Sequence, residues 1–205
     1  MLSTNDFIQH INKKLLYFST WKYTPADFTA NPSLKKECQE TEDMFSQWAK
    51  MLLKPKFIYE YFPVIVQEKK ITIPIMEHFF KIELDYNTVC DNIGVQLVTL
   101  GEEAVAMSHK LYNQGKYQMH FYWHGYCASL TEALADYVNI NFFETLGETK
   151  RLSFGYPALP NILDQVKIFD FIDGKKIGVT ISKETGMMTP EYTTLAIVIP
   201  KGDKK

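Results

Sequence analysis

The side chains best suited to chemistry lie around a short segment rich in glycine and proline in the last third of the chain. Glu132 precedes this segment on a predicted helix, and Arg151 is followed four residues later by Gly155-Tyr156-Pro157. Together they offer an anion, a cation, an aromatic wall and exposed backbone groups, which suits a zwitterionic ligand with a flat ring. Asp136 stands one helical turn after Glu132, and a solvated acidic face is the ordinary interpretation of such a pair. The nearby Arg151 is what raises Glu132 above that interpretation.

Two histidines and a cysteine form a second candidate group. His120 and His124 are four residues apart on a predicted long helix, so their imidazoles share a face and could hold a transition metal. A third ligand and the glutamate of H-E-x-x-H are missing, so packing or surface histidines are the favoured interpretation and no metal is expected. Cys127 could be acidified by the helix dipole, but its place on the apolar stripe favours packing. No Ser-His-Asp, G-x-S-x-G or Walker pattern occurs, and no catalytic residue is assigned.

Composition excludes several classes of protein. The 205 residues are 46% hydrophobic and 22% charged, with a formal net charge of −2. This balance gives no broad cationic surface for nucleic acid, and the apolar runs are shorter than the ~20 residues of a spanning helix. Asp6 and Gln9 lie where a signal peptide would be apolar, and an odd count of 3 cysteines is typical of reduced thiols. We therefore expect a cytoplasmic protein with neither nucleic acid nor membrane as a partner.

Hydrophobic periodicity predicts helices in the first quarter of the chain and strands after it. An amphipathic helix is predicted over Asp6 to Phe18, a loop over Trp21 to Pro32, and a second helix from a Ser33 cap to about Leu53. Aromatic and β-branched residues then predict a strand over Phe57 to Val66, with Ile71-Thr72-Ile73 as its hairpin partner.

The rest of the chain is predicted to contain a β-to-α junction, one long helix, the binding segment and closing strands. A short helix is predicted over Met76 to Leu84, and a strand over Val95 to Leu100 ends at Gly101 before a helix. A long helix runs from about Gln118 to Phe143, and an extended segment that is neither helix nor regular ladder covers Arg151 to Pro160. The last elements are a short helix over Leu163 to Ile172 and strands over Gly178 to Ser182 and Thr193 to Ile199.

A decapeptide carries a resemblance to a known family. It reads Arg151-Leu-Ser-Phe-Gly155-Tyr156-Pro157-Ala158-Leu159-Pro160 and resembles the R-x-x-x-G-Y-P-A-C-P signature of the activation domain of cobalamin-dependent methionine synthase. Leu159 replaces the cysteine of that signature. Val98-Thr-Leu100-Gly101-Glu-Glu is similar to a T-L-G-x-E turn of short, free-standing relatives of the domain, and the whole likeness runs from about Val95 to Val198.

The resemblance implies an α+β fold with a twisted antiparallel sheet and flanking helices, and it implies binding of S-adenosylmethionine. Arg151 would bind the carboxylate of the ligand, a task that suits the bidentate geometry of a guanidinium. Glu132 would lie near the sulfonium and amino end, and Gly155, Tyr156 and Ala158 would present backbone groups. Residues 1–70 would form an N-terminal helical extension with the first strand, and residues 71–205 an activation-domain-like core, in one compact domain overall.

In this family the domain supports S-adenosylmethionine-dependent reductive remethylation of cobalamin. The resemblance therefore implies a stand-alone reactivation subunit that acts in trans on a cobalamin-binding methionine synthase module, with a flavodoxin-type electron donor as a further partner. Two family contacts have no counterpart: an aspartate, expected within residues 1–70, and a tyrosine beyond the closing strand, before which the sequence ends. Two alternatives therefore stay open. One is a non-catalytic interaction module or escort for a corrinoid protein that does not bind S-adenosylmethionine. The other is an independent enzyme that uses the two histidines and the cysteine.

Overall fold

The part of the chain that the computed structural model describes, residues 23–75, 78–84 and 89–201, contains both helices and strands. The helix predicted over Asp6 to Phe18 lies outside these residues. The helices are α1 (Pro25–Ala30), α2 (Pro32–Leu52), α3 (Glu102–Asn113), α4 (Tyr117–Phe142) and α5 (Asp164–Phe169). The strands are β1 (Lys56–Pro63), β2 (Ile65–Gln67), β3 (Lys70–Ile75), β4 (His78–Glu83), β5 (Asn92–Thr99), β6 (Thr149–Ser153), β7 (Thr180–Ile181), β8 (Met188–Thr189) and β9 (Thr193–Pro200).

A four-stranded sheet with the order β1-β5-β9-β6 contains the strands that matter for the candidate site. Strands β5 and β9 are buried along almost their whole length, as nearly continuous apolar runs require. Strand β6 pairs antiparallel with β9, and Arg151 stands opposite Val198. The strands predicted over Val95 to Leu100 and Thr193 to Ile199 are confirmed. The mixture of helices with antiparallel strands confirms the α+β class.

A smaller sheet has the order β2-β3-β4. Its first hairpin pairs Val66 with Ile71, and Glu68 takes a left-handed φ of +54° in the turn. The predicted hairpin is therefore present, but only its β2 part pairs with β3, because β1 belongs to the other sheet. The chain between Phe57 and Val66 thus supplies two strands instead of one.

The short helix predicted over Met76 to Leu84 is wrong, because residues 78–83 of this segment form β4. The strand pairs antiparallel with β3, and Ile71 stands opposite Ile82. Lys81 and Glu83 are exposed while Ile82 is buried, which is the two-residue period of a strand with one covered face. Cross-strand burial of the isoleucines decides the conformation over any local helical preference.

The loop predicted over Trp21 to Pro32 contains the one-and-a-half-turn helix α1. Thr24 and Asp27 form a capping box, in which each side chain accepts a hydrogen bond from the backbone of the other residue. The next helix, α2, is capped by Asn31, whose side chain accepts from the backbone N–H of Leu34, and not by the predicted Ser33. Proline follows each cap, a position where its missing N–H costs nothing.

Large aromatic side chains pack helices α2, α3 and α4 together. The ring of Phe45 lies 5.4 Å from Trp123 and 5.6 Å from Tyr126, measured between centroids. The indole N–H of Trp123 donates to the backbone carbonyl of Ala104 at 2.9 Å, so this fully buried side chain keeps its polar group satisfied. The predicted long helix is confirmed as α4.

The short elements near the C-terminal end are shorter than predicted. The helix expected over Leu163 to Ile172 is the six-residue α5, and the strand expected over Gly178 to Ser182 is the two-residue β7, which pairs with β8. A 3-10 turn at Gly174–Ile177 follows α5. A Cβ at Gly174 would collide with the ring of Phe169, so only glycine allows the chain to turn this closely against the helix.

The chain divides into two compact units. Among the described residues, the first comprises 23–56, 99–134 and 190–192, and the second comprises 57–75, 78–84, 89–98, 135–189 and 193–201. The division of the chain at about residue 70 stays a prediction. No helix among the described residues is long and apolar enough to cross a membrane.

The tight contact at Gly94 leads to a prediction about stability. Gly94 on β5 faces the buried ring of Phe143, and a Cβ at position 94 would overlap that ring. We expect Gly94→Ala to lower the free energy of unfolding by about 1–3 kcal/mol through overpacking. The measurement is urea unfolding followed by circular dichroism. In the double variant with Phe143→Leu the loss should be smaller than the sum of the two single losses, since the smaller side chain makes room. Strictly additive losses would contradict the contact.

Candidate functional site

Arg151 is held on one face of β6. The strand burial alternates, with Leu152 in the core at 3% exposure and Arg151 on the opposite face. On that face Thr149 donates a hydrogen bond to Asn139 of α4 at 3.1 Å, and the Nη2 of Arg151 lies 3.3 Å from the Oδ1 of Asp136, also on α4. The side chain of Arg151 is 15% exposed and that of Asp136 is 57% exposed. The second half of α4 therefore orients the guanidinium through an ion pair that is open to solvent on the carboxylate side.

The segment predicted as neither helix nor regular ladder differs from that expectation in its first part. Arg151 to Ser153 are paired with β9, because their alternating burial fits the edge of the sheet. The irregular part begins only at Phe154. Gly155 and the two prolines of this segment predict irregular structure, but such residues do not locate the end of the preceding strand to within three residues.

A tight turn follows the strand. Gly155 has a φ of +83°, a region that favours glycine, and its N–H donates to the carbonyl of Leu159 at 2.8 Å. The N–H of Leu159 donates to the carbonyl of Tyr156 at 2.9 Å, which closes the turn. Phe154 and Leu159 are both 5% exposed, whereas Tyr156 is 66% exposed and Ala158 is exposed as well. We call residues 155–158 the hook: it is anchored in the core at both ends and presents its middle to solvent.

Of the predicted site residues, the structure brings Arg151 and the hook onto one strand and its following turn. Glu132 is exposed on α4 in the first unit, one helical turn before Asp136. Its membership of the site stays a prediction, as do the ligand contacts assigned to Gly155, Tyr156 and Ala158.

Asp136 is the site residue for which the sequence predicts only a solvated face. The sequence shows a carboxylate one turn after Glu132 and an arginine shortly after the helix ends. It does not predict that Asp136 and Arg151 pair, because the face of β6 that turns toward α4 depends on the register of β6 with β9.

The two histidine rings contact different side chains, which are hydrogen-bonded to each other. The Nδ1 of His120 lies 3.0 Å from the hydroxyl of Ser108, and the Nδ1 of His124 lies 3.2 Å from the hydroxyl of Tyr192 and 3.5 Å from a carboxylate oxygen of Glu191. The hydroxyl of Tyr192 in turn donates to Ser108 at 3.2 Å, so one chain of hydrogen bonds links the two rings. Within the described ranges no group of three or more His, Cys, Asp or Glu could hold a metal ion.

Cys127 is fully buried, which confirms the packing interpretation of this thiol. Burial raises its pKa well above the usual value, and the negative charge of Glu191 adds to the rise. A reactive cysteine needs the opposite conditions, a lowered pKa and access to solvent. The independent enzyme built on the histidines and this thiol therefore loses its nucleophile.

Comparison with known proteins gives two relatives among curated sequences. The methionine synthase of Mycobacterium tuberculosis (strain ATCC 25618 / H37Rv) is 30% identical over an alignment of 138 positions, which spans 56% of this chain and 12% of that protein. The methionine synthase of Mycobacterium leprae (strain TN) is 23% identical over a gapped alignment of 254 positions, which spans 97% of this chain and 21% of that protein. The chain thus spans about an eighth to a fifth of the length of these relatives. No family profile matches the chain.

Among solved structures, the crystal structure of the MetH reactivation domain bound to AdoHcy is similar over 100% of this chain and 78% of that one. The TM-score is 0.75 and the sequence identity is 17%. The chain therefore has the fold of the methionine synthase reactivation domain, and the resemblance inferred from the decapeptide is confirmed at the level of the fold.

The burial of Cys127 generates a reactivity prediction. We expect iodoacetamide at about pH 8 to label the half-buried Cys90 first and to leave Cys127 unlabelled until the protein unfolds, because both the raised pKa and the lack of access oppose reaction. Mass spectrometry of peptides after timed labelling measures this order. In denaturant the thiols should react at similar rates, which serves as the control. Rapid labelling of Cys127 in the folded chain would revive its role as a nucleophile.

Proposed function

We propose that this chain supports the S-adenosylmethionine-dependent reductive remethylation of cobalamin carried by a methionine synthase module, acting in trans as a reactivation subunit. The observation that carries the proposal is the continuity of β6 with the hook, in a chain that has the reactivation-domain fold. Strand β6 carries the guanidinium of Arg151, and the hook that follows it presents exposed backbone and the ring of Tyr156. A solved protein of the same fold binds AdoHcy, which differs from S-adenosylmethionine by one methyl group.

Arg151 fits the carboxylate of an amino-acid ligand. A guanidinium presents its donors as a rigid planar fork that matches a carboxylate, and its charge persists at any physiological pH. Asp136 holds this fork at a fixed angle on the strand, so less side-chain entropy is lost when a ligand binds. The ligand carboxylate shares the guanidinium with Asp136, whose own carboxylate is more than half exposed.

The hook fits the remainder of such a ligand. Gly155 lacks a side chain where a ligand approaches the backbone, and the exposed ring of Tyr156 offers a flat apolar face for the adenine. Two hydrogen bonds and two buried anchors keep the hook in one shape, so its order does not have to be created on binding. Ala158 presents backbone at the far side of the turn. Glu132 has the charge to attract the sulfonium and the amino group.

The chain itself needs no general acid or base for this role. A methyl group on a sulfonium and reduced cobalamin on the partner supply the chemistry, and the protein contributes position. The flavodoxin-type electron donor belongs to this proposal as the source of the reducing electron. Buried Tyr192 and Cys127, with pKa values raised by desolvation, are unsuited to proton transfer and are not used.

A second candidate is a non-catalytic escort for a corrinoid protein that keeps the fold and does not bind S-adenosylmethionine. The ion pair between Arg151 and Asp136 favours it, since the arginine then has a structural partner in the chain. Under this alternative the guanidinium ties β6 to α4 and the hook contacts the partner protein.

One substitution separates the two candidates. Arg151→Ala should weaken S-adenosylmethionine binding by about 10- to 100-fold, the loss expected when a hydrogen-bonded charge pair with the ligand disappears. Isothermal titration calorimetry on the full chain measures this, with and without a cobalamin-binding methionine synthase module. Lys150→Ala is the matched control, because Lys150 precedes Arg151 on the same strand, is exposed and belongs to the other face. The escort is supported instead if Arg151→Ala still captures the cobalamin module and the unaltered chain shows no saturable S-adenosylmethionine binding.

A further inference from the structure

A cavity of about 470 Å³ lies in the first unit, between α2 and the beginning of α4. Its volume falls in the range of ordinary small-molecule sites, about 300 to 1,000 Å³. None of the residues assigned to the S-adenosylmethionine site lines it. What the cavity can bind must therefore be read from its own walls.

The walls are aromatic and sulfur-containing. Tyr23, just before α1, and Tyr122 on α4 both line the cavity, and both pack against a small buried cluster that contains Cys38. The remaining uncharged residues of the described lining are Leu34, Thr41, Met44, Gln118 and Met119. Tyrosine rings carry negative charge on their faces and thioethers are highly polarisable, so such walls attract a cation more strongly than aliphatic walls do.

The charged residues among the described lining of the cavity are both acidic. They are Glu37 and Glu40, three residues apart on α2, and no lysine or arginine is among the described lining residues. Lys36 lies 3.8 Å from Glu40, but both side chains are largely exposed, and such a pair compensates little charge. The cavity therefore combines apolar aromatic walls with a negative rim.

We propose that this cavity binds a small organic cation with an apolar body, of the quaternary ammonium or sulfonium type. The apolar groups of such a cation fit the tyrosine and methionine walls, and its charge faces the aromatic rings and the carboxylate of Glu37. A neutral molecule of the same shape gains only the apolar part of this interaction, and an anion meets the two carboxylates. The site is separate from Arg151 and the hook, so it does not depend on the proposed function.

The test uses two probes that share one shape. Choline and 3,3-dimethyl-1-butanol differ in a charged nitrogen against a neutral carbon, and each is titrated into the full chain with binding followed by NMR. We expect saturable binding of choline and at least about fivefold weaker binding of the neutral probe, the difference that cation–π contact and one carboxylate supply. Equal binding of the two probes, or no binding of choline, overturns the proposal.

Substitutions on α2 locate the site. Glu37→Gln should weaken choline binding by about two- to fivefold, and the double variant with Glu40→Gln by more. Asp43→Asn is the matched control, because Asp43 is an exposed acid on the same helix, bonded to Gln39 and outside the cavity lining. An equal loss in Asp43→Asn overturns the proposal, since it reveals general surface attraction. Arg151→Ala should leave choline binding unchanged, which keeps this result distinct from the test of the S-adenosylmethionine site.

Discussion

The two-residue period of β6 against β9 is the constraint on which the candidate site depends. Leu152, and Phe154 just after the strand, enter the core on one side, so Thr149 and Arg151 must turn to the other face, where α4 supplies Asn139 and Asp136. A slip of one residue in the register would bury the guanidinium and expose the two apolar side chains. The cost of that exchange is far larger than the ion pair itself. The hydrophobic side of the strand therefore positions the arginine, and the ion pair sets only its final angle.

The same kind of constraint accounts for the group around the two histidines. Tyr192 is 3% exposed, and a buried hydroxyl without a partner is costly. Ser108 and His124 satisfy it, and Ser108 also contacts His120. The residues that the sequence offers as a metal pair are thus held by hydrogen bonds to a serine and a tyrosine. Satisfaction of a buried hydroxyl explains their positions without a metal or a catalytic step.

Local signals were sufficient for part of this structure and insufficient for the rest. The long helix α4 and the strands β5 and β9 follow from strong apolar periodicity and long apolar runs, which few other conformations can bury. Strand β4 was missed because its residues become strand-like only through pairing with β3, a contact that no local pattern contains. Helix α1 lies where Pro25, Asn31 and Pro32 predict a loop. Proline directly after a cap starts a helix instead, as Pro25 does after Thr24. For the site, the decapeptide located Arg151 and the hook, while the pairing of Arg151 with Asp136 depends on a strand register that the decapeptide does not encode.

The strength of the ion pair between Arg151 and Asp136 decides how the arginine can serve a ligand. A pair with one partner more than half exposed contributes about 0–1 kcal/mol, because water competes for the carboxylate. A ligand carboxylate held by a hydrogen-bonded charge pair gains about 1.5–3 kcal/mol, so it can displace or share the contact without disturbing the fold. Under the proposed function, Asp136 would pair with the mostly buried guanidinium whenever no ligand is bound, as it does in this structure. A weak ion pair whose carboxylate is exposed is therefore compatible with an arginine that binds a ligand. A fully buried pair would have given Arg151 a structural role only.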